Sequence, residues 1–164
     1  MADEAEALRT DLQNRLADQK EALSGANEGQ TEERWIKPVL DALGWGYEVQ
    51  PVSKRHGTVQ YPDYALFLSQ EQADGAAAQD RRRLLKRSDG VLEAKRWERD
   101  LDAGDPEYED INRVPSTQII NYLIRAEQPW GVLTNGEEWR LYYRDADFAD
   151  TSYFAVDLPA LLGD

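Results

Sequence analysis

The spacing of apolar residues predicts two helices at the amino-terminal end of the chain. Leucines recur close to every fourth position between residues 3 and 24, in a stretch without Pro or Gly. Gly25 ends this helix, and Ala26-Asn27 leads into a second helix with its own apolar stripe. The second helix ends at Gly44. Pro38 lies inside it, which predicts either a kink or a later start.

Short extended segments dominate the rest of the chain. Strands are predicted over residues 47–52, 61–68, 91–95, 130–134, 138–143 and 153–156. Asn135-Gly136 is a typical hairpin turn between two of them. Residues 69–87, polar and then basic, predict a helix on an exposed excursion, and Pro115-Ser116 opens a further helix. This order predicts an α/β fold with a mixed β-sheet.

Length and composition indicate one packed, intracellular domain. The chain has 164 residues, of which 41% are hydrophobic, enough for a sizeable core. There is no Cys and only one His, which argues against a disulfide scaffold, a thiol nucleophile, a Cys-based metal site and a Ser-His-Asp triad. No apolar run approaches the roughly 20 residues that span a bilayer. We therefore expect a cytoplasmic protein with no membrane partner.

The net charge of −13 has two interpretations. Proteins that bind nucleic acids usually carry a basic surface, which on its own makes an acidic chain a poor candidate. An acidic surface is equally typical of a halophilic protein, where net charge governs solubility rather than the site. The bases are skewed toward Arg, with fourteen Arg and five Lys. Net charge alone does not exclude a nucleic-acid function.

Three groups of polar residues are candidates for chemistry. Asp63 lies at the start of one predicted strand, and Glu93 and Lys95 leave the same face of another. Gln118 and Tyr122 share one face of the following helix. Two carboxylates at neighbouring strand ends can hold a hard divalent cation, and an adjacent amine can stabilise a phosphate. A structural salt bridge between Glu93 and Lys95 is the alternative interpretation.

These residues resemble a known family. Pro62-Asp63 followed by Glu93-Ala94-Lys95 resembles the signature of PD-(D/E)xK nucleases, and Gln118-x-x-x-Tyr122 resembles an extra motif of their restriction-enzyme branch. Asn27-Glu28 with Thr31 is similar to the first helix of that branch. The segment WGVLTNGEEWRLYYR is similar to the amino-terminal nuclease domain of type IIG restriction-modification proteins and of type I restriction subunits. The resemblance spans about residues 27–158.

The resemblance implies a metal site. Asp63 and Glu93 would be ligands of Mg²⁺, with Mn²⁺ as a possible substitute, and the Ala94 backbone carbonyl would complete the set. Lys95 would position the attacking water or neutralise the scissile phosphate.

Helix-borne residues would complete this site. Glu28 matches the acid that holds a metal-coordinated water, although Glu32 or Glu33 could take its place. Gln118 and Tyr122 would orient DNA or the catalytic Lys.

The resemblance also implies a fold and partners. It predicts a restriction-endonuclease-like three-layer α/β core, with an amino-terminal helix over residues 1–26 and the nuclease domain over residues 27–164. The function implied is Mg²⁺-dependent cleavage of double-stranded DNA in phage defence, beside methyltransferase, helicase or specificity modules of a parent protein or complex. The alternatives are a catalytically silent nuclease-fold module that binds DNA or a subunit, and an unrelated acidic α/β domain that mediates protein contacts.

Two charged segments are harder to assign. The basic run Arg81, Arg82, Arg83, Lys86 and Arg87 could contact DNA phosphates or form a solvated helix face. Residues 98–110 carry seven acids against one Arg, and we expect a mobile acidic loop there.

Overall fold

The computed structural model describes residues 2–49, 61–80, 83–104 and 114–163. In chain order its elements are α1 (Ala2–Leu23), α2 (Glu28–Thr31), a π-helical turn (Glu32–Ile36), α3 (Lys37–Ala42), β1 (Gly46–Val49), β2 (Tyr64–Phe67), α4 (Gln70–Gln79), α5 (Leu84–Arg87), β3 (Gly90–Ala94), α6 (Pro115–Ala126), β4 (Trp130–Thr134), β5 (Glu138–Tyr143), β6 (Tyr153–Asp157) and α7 (Leu158–Leu162).

The strands form one mixed sheet in the order β1-β2-β3-β4-β5-β6. Only the β3–β4 pair is parallel among these neighbours, because α6 carries the chain back across the sheet between them. The other four pairs are antiparallel. The predicted hairpin turn joins β4 to β5, and Gly136 adopts the positive φ of 92° that this turn requires.

Helices cover both faces of the sheet, which confirms the predicted three-layer α/β fold. On one face Leu66 and Leu92 pack with Ile36 and Leu40 of the second helical segment. α1 and α7 pack together over the same side of the molecule. On the other face α6 contributes Ile119, Tyr122 and Leu123 to a cluster that includes Val91 and Leu133. The alternating strand residues therefore divide between two cores.

The helical segment does not start late at Pro38. Helical backbone begins at Glu28 and passes through the π-helical turn before Pro38, which lies in the first turn of α3. Pro has no N–H to donate and its ring crowds the carbonyl four residues earlier. A π-helical turn at this point widens the backbone spacing and lets the helix continue through the proline.

Three further segments refine the predictions. Residues 69–87 contain two helices, α4 and α5, rather than one, and the carboxyl-terminal tail forms α7. Within the acidic segment, Leu101 is buried and Asp102 pairs with Arg140, so residues 98–104 are held against the domain; residues 105–113 lie outside the described part. In the part of the chain that the structure describes, no helix is long and apolar enough to cross a membrane.

Candidate active site

Asp63 and Glu93 lie side by side at one end of the sheet. β2 and β3 are antiparallel, with Tyr64 opposite Leu92, so the next pair along the ladder is Asp63 and Glu93. The backbone N–H of Ala94 donates a hydrogen bond of 2.8 Å to Oδ2 of Asp63. Both carboxylates face the α6 side, because Val91 on that face is two residues before Glu93. The structure thus brings together two acids that are thirty residues apart in sequence.

Lys95 completes this cluster. It follows the last residue of β3, and its Nζ donates a hydrogen bond of 2.5 Å to Oε1 of Glu93. Its backbone N–H donates to the carbonyl of Thr134, which continues the β3–β4 pairing by one residue. The side chain of Lys95 is 15% exposed and that of Glu93 is 5% exposed. The ammonium group is therefore fixed beside the two carboxylates and largely out of solvent.

Burial and mutual repulsion perturb these acids. Burial, together with the charge of Glu93, raises the pKa of Asp63 to about 8, against the opposing effects of the Ala94 N–H and of Lys95. Burial also raises the pKa of Glu93, against the opposing effect of Lys95. Burial acts to lower the pKa of Lys95, but the charges of Glu93 and Glu28 outweigh it and raise that pKa. Holding both carboxylates ionised here costs free energy unless more positive charge is present.

The residues present fit a divalent cation. Oε2 of Glu93 is buried and has no hydrogen-bond partner among the described residues, and a buried carboxylate oxygen without a partner is costly. Carboxylate oxygens are the ligands that Mg²⁺ prefers. No group of three or more acidic or His side chains is arranged to hold a metal within the described ranges. The ligand set expected from the sequence would not form such a group, because it contains only two acidic side chains, Asp63 and Glu93. Its third ligand is the backbone carbonyl of Ala94.

Two acids on the helical segment approach the site differently. Asn27 caps α2 in a reciprocal capping box with Gln30, which fixes Glu28 in the first helical turn. Glu28 interacts electrostatically with Lys95 and Asp63. Desolvation raises the pKa of the Glu28 carboxyl, and the positive charge of Lys95 lowers it. The negative charges of Asp63 and Glu32 raise it further. Glu32 instead accepts a hydrogen bond from the hydroxyl of buried Tyr64. Of the two, Glu28 is the acid that faces Lys95.

Tyr64 is a site neighbour that the sequence did not single out. It directly follows Asp63, and strand alternation sends its ring to the opposite face, toward Glu32. Its hydroxyl therefore anchors the π-helical turn. The alternation of side-chain direction along residues 62–65 is the sequence signal that could have identified Tyr64.

Gln118 and Tyr122 lie on one face of α6, as predicted. The side-chain amide of Gln118 donates a hydrogen bond of 2.7 Å to the hydroxyl of Tyr122. Burial raises the pKa of Tyr122, and the charge of Glu93 raises it as well. The Gln118 amide thereby fixes the orientation of a phenol beside the site.

The described part of the basic run lies at the other end of the sheet. α5 immediately precedes β3, whereas Glu93 and Lys95 lie where β3 ends, roughly 13 Å away along the strand. Lys86 pairs with Glu127 at 2.7 Å, and Arg87 bonds to Gln79. Arg83 is exposed; Arg81 and Arg82 lie outside the described residues. These side chains would contact DNA only if it extended past the carboxylate end of the sheet.

Comparisons with family models, with characterised proteins and with solved structures give no match to this chain.

Proposed function

We propose that this chain is a metal-dependent endonuclease domain that hydrolyses phosphodiester bonds in double-stranded DNA. The observation that carries the proposal is the convergence of Asp63, Glu93 and Lys95 at the ends of two adjacent strands, with a buried carboxylate oxygen left unpaired. A buried ion pair is weak evidence for stability, since an apolar pair of the same volume often stabilises a fold as well or better. A functional role explains why charge is placed here.

Charge balance supports a divalent cation as the missing component. Ionising Asp63, Glu93 and Glu28 beside a protonated Lys95 would leave two negative charges at this end of the sheet, and the raised pKa values of the three carboxyls reflect the cost of that state. Asp63 and Glu93, with the carbonyl of Ala94, would hold Mg²⁺ or Mn²⁺. When bound, such a cation supplies Lewis-acid polarisation of a phosphate and lowers the pKa of water.

The side chains of this site have separate tasks in such a reaction. Lys95 holds its ammonium group beside the carboxylates, where it can neutralise charge that develops on a phosphate oxygen. Glu28 lies at the start of α2, where its carboxylate can orient a water molecule toward that phosphate. Tyr122, whose hydroxyl accepts a hydrogen bond from Gln118, would orient DNA or Lys95 from the α6 side. The parent system would be a restriction-modification enzyme, with DNA recognition supplied by other modules.

One contact favours a second candidate function. The Lys95 ammonium group is paired with Glu93 by a hydrogen bond of 2.5 Å, as it would be in a purely structural salt bridge. A nuclease-fold module that binds DNA or a subunit without cutting would contain the same pair.

Plasmid cleavage separates the two candidates. We expect the protein to convert supercoiled plasmid to nicked or linear DNA with Mg²⁺ or Mn²⁺ and not with EDTA. Lys95→Ala should abolish cleavage, while Lys20→Ala, at an exposed lysine on α1, should cut like the wild type. A folded protein that never cuts under these conditions, or a Lys95→Ala variant that cuts normally, would contradict the nuclease proposal.

A further inference from the structure

Thr31 connects the helical segment that carries Glu28 to the strand segment that carries Lys95. Its hydroxyl oxygen accepts a hydrogen bond of 2.9 Å from the backbone N–H of Trp97, two residues after Lys95. The same hydroxyl donates to the carbonyl of Asn27, the residue that caps α2, at 3.0 Å. Thr31 is completely buried. One side chain thus joins the cap of α2 to the end of β3 across sixty-six positions of sequence.

A second contact joins the helical segment to the β4–β5 turn. The indole N–H of Trp35, one helical turn after Thr31, donates a hydrogen bond of 2.8 Å to the carbonyl of Gly136. Gly136 lies between the rings of Trp97 and Trp35, and a Cβ at this position would lie 2.9 Å from a carbon of Trp97. The β4–β5 turn is therefore packed between the helical segment and the chain that leaves β3.

Glu28 lies at the amino-terminal end of the helical segment. The segment begins just after the turn at Gly25, and the carbonyl of Glu28 accepts a hydrogen bond from the backbone N–H of Glu32, so these bonds fix Glu28 relative to its own helix and not relative to Lys95. Lys95 lies outside β3, where a single backbone hydrogen bond to Thr134 continues the ladder. Thr31, three residues after Glu28, bonds α2 to the chain that leaves β3.

We propose that Thr31 is a positioning residue that sets Glu28 relative to Lys95 through its hydrogen bond with Trp97. Thr31 touches neither phosphate nor cation; it acts through the backbone on each side. The expected effect of Thr31 on cleavage rests on the proposed nuclease function. Its expected effect on the separation between Glu28 and Lys95 does not.

Three variants test the positioning role. Thr31→Val keeps the branched shape and removes the hydroxyl, and Thr31→Ser keeps the hydroxyl. Ser88→Ala is the matched control, because it removes another buried hydroxyl, bonded to the Leu85 carbonyl at 2.8 Å, at the opposite end of β3. We expect Thr31→Val to lower kcat by about a hundredfold with KM for DNA little changed, the loss typical of a misplacement near 1 Å. The kcat values of Thr31→Ser and Ser88→Ala should stay within about threefold of the wild-type kcat, because neither change displaces Glu28 or Lys95.

Crystal structures of the wild type and Thr31→Val give a readout that does not depend on cleavage. The separation between the Glu28 carboxylate and the Lys95 ammonium group should increase in the variant, and the Trp97 amide should exchange its hydrogen faster. An unchanged separation would overturn the positioning role, whatever the activity. Equal losses of kcat in Thr31→Val and Ser88→Ala would also overturn it, since general destabilisation would then explain both. If the wild type does not cleave DNA, the nuclease proposal fails and the measured separation still decides the role of Thr31.

Discussion

The carboxylate of Asp63 accepts a hydrogen bond of 2.8 Å from the backbone N–H of Ala94, the last residue of β3. A side chain that precedes β2 therefore caps the end of the neighbouring strand, directly beside Glu93. The hydrogen bond from Ala94 needs only an oxygen acceptor at position 63, whereas binding of a divalent cation needs the negative charge of the carboxylate. The structural and the proposed functional roles of Asp63 can therefore be separated by a single substitution.

Asp63→Asn should leave the fold intact and remove the response to metal. The amide oxygen can still accept from Ala94, while the loss of charge relieves repulsion with Glu93. Without divalent cations we expect the variant to melt at or above the wild-type temperature. Mn²⁺ at a hundred times its Kd should stabilise the wild type by about 2.7 kcal/mol and the variant far less. Differential scanning calorimetry with and without Mn²⁺ measures both; equal stabilisation of the two proteins would exclude Asp63 as a ligand.

Glu93 and Lys95 should differ in their effects on metal binding. Glu93→Ala removes a ligand, so it should lose both Mn²⁺ affinity and cleavage. Lys95→Ala removes a positive charge that donates nothing to a cation, so it should lose cleavage and retain Mn²⁺ affinity. Calorimetric titration of Mn²⁺ into each variant provides the comparison, with Lys20→Ala as the control. Matching losses of affinity in both variants would contradict this division of roles.

Gly136→Ala should destabilise the protein more than Gly25→Ala. Both glycines have positive φ, 92° and 81°, so both substitutions carry the cost of a left-handed conformation, about 1 kcal/mol. A Cβ at Gly25 meets no atom within 4 Å, whereas at Gly136 it would overlap the rings of Trp97 and Trp35. Overpacking adds about 1–3 kcal/mol. Urea unfolding followed by tryptophan fluorescence measures the difference, and equal costs would show that the rings move aside freely.

The Asp102–Arg140 pair should stabilise the fold at neutral pH and not in acid. Arg140 is 4% exposed and donates hydrogen bonds of 2.7 and 2.9 Å to the two oxygens of Asp102. These bonds hold the pKa of Asp102 below its ordinary value of 3.8. The contribution is therefore complete above pH 3.8 and is lost as the pH falls through the lowered pKa.

Urea unfolding of the wild type and Asp102→Asn at several pH values checks this dependence. The variant should be less stable at pH 7, and this difference in stability should shrink as the pH falls below 3.8. Asp150→Asn, at an exposed aspartate, serves as the control. A gap of constant size across the pH range would show that the charge of Asp102 does not matter.

The melting temperature should rise in concentrated salt if the acidic surface is that of a halophilic protein. Thirteen uncompensated negative charges repel one another at 0.1 M salt, where the Debye length is about 10 Å, and much less at 1 M, where it is about 3 Å. Replacing the exposed Asp147 and Asp150 by Asn removes two of these charges and should reduce the gain. Calorimetry between 0.1 M and 2 M KCl decides the matter. A melting temperature independent of salt would end the halophilic interpretation and leave the nuclease proposal untouched.

Local patterns in the sequence sufficed to predict most of the elements. The leucine spacing predicted α1, the strand pattern over residues 91–95 predicted β3, and Asn135-Gly136 predicted the hairpin, because each depends on neighbours within a few positions. Predictions were less complete where a residue far away decides the outcome. Asp102 was expected in a mobile loop, and it pairs instead with Arg140, thirty-eight positions later.

The sequence by itself determined which side chains share a face. The two-residue spacing of Glu93 and Lys95 on a strand and the four-residue spacing of Gln118 and Tyr122 on a helix fix this, since backbone periodicity is local. Only the tertiary structure decided which faces meet: that Glu28 rather than Glu32 faces Lys95, and that the described basic residues lie at the far end of β3. Such contacts depend on strand register and on buried links across many positions, as between Thr31 and Trp97, and no local spacing encodes them.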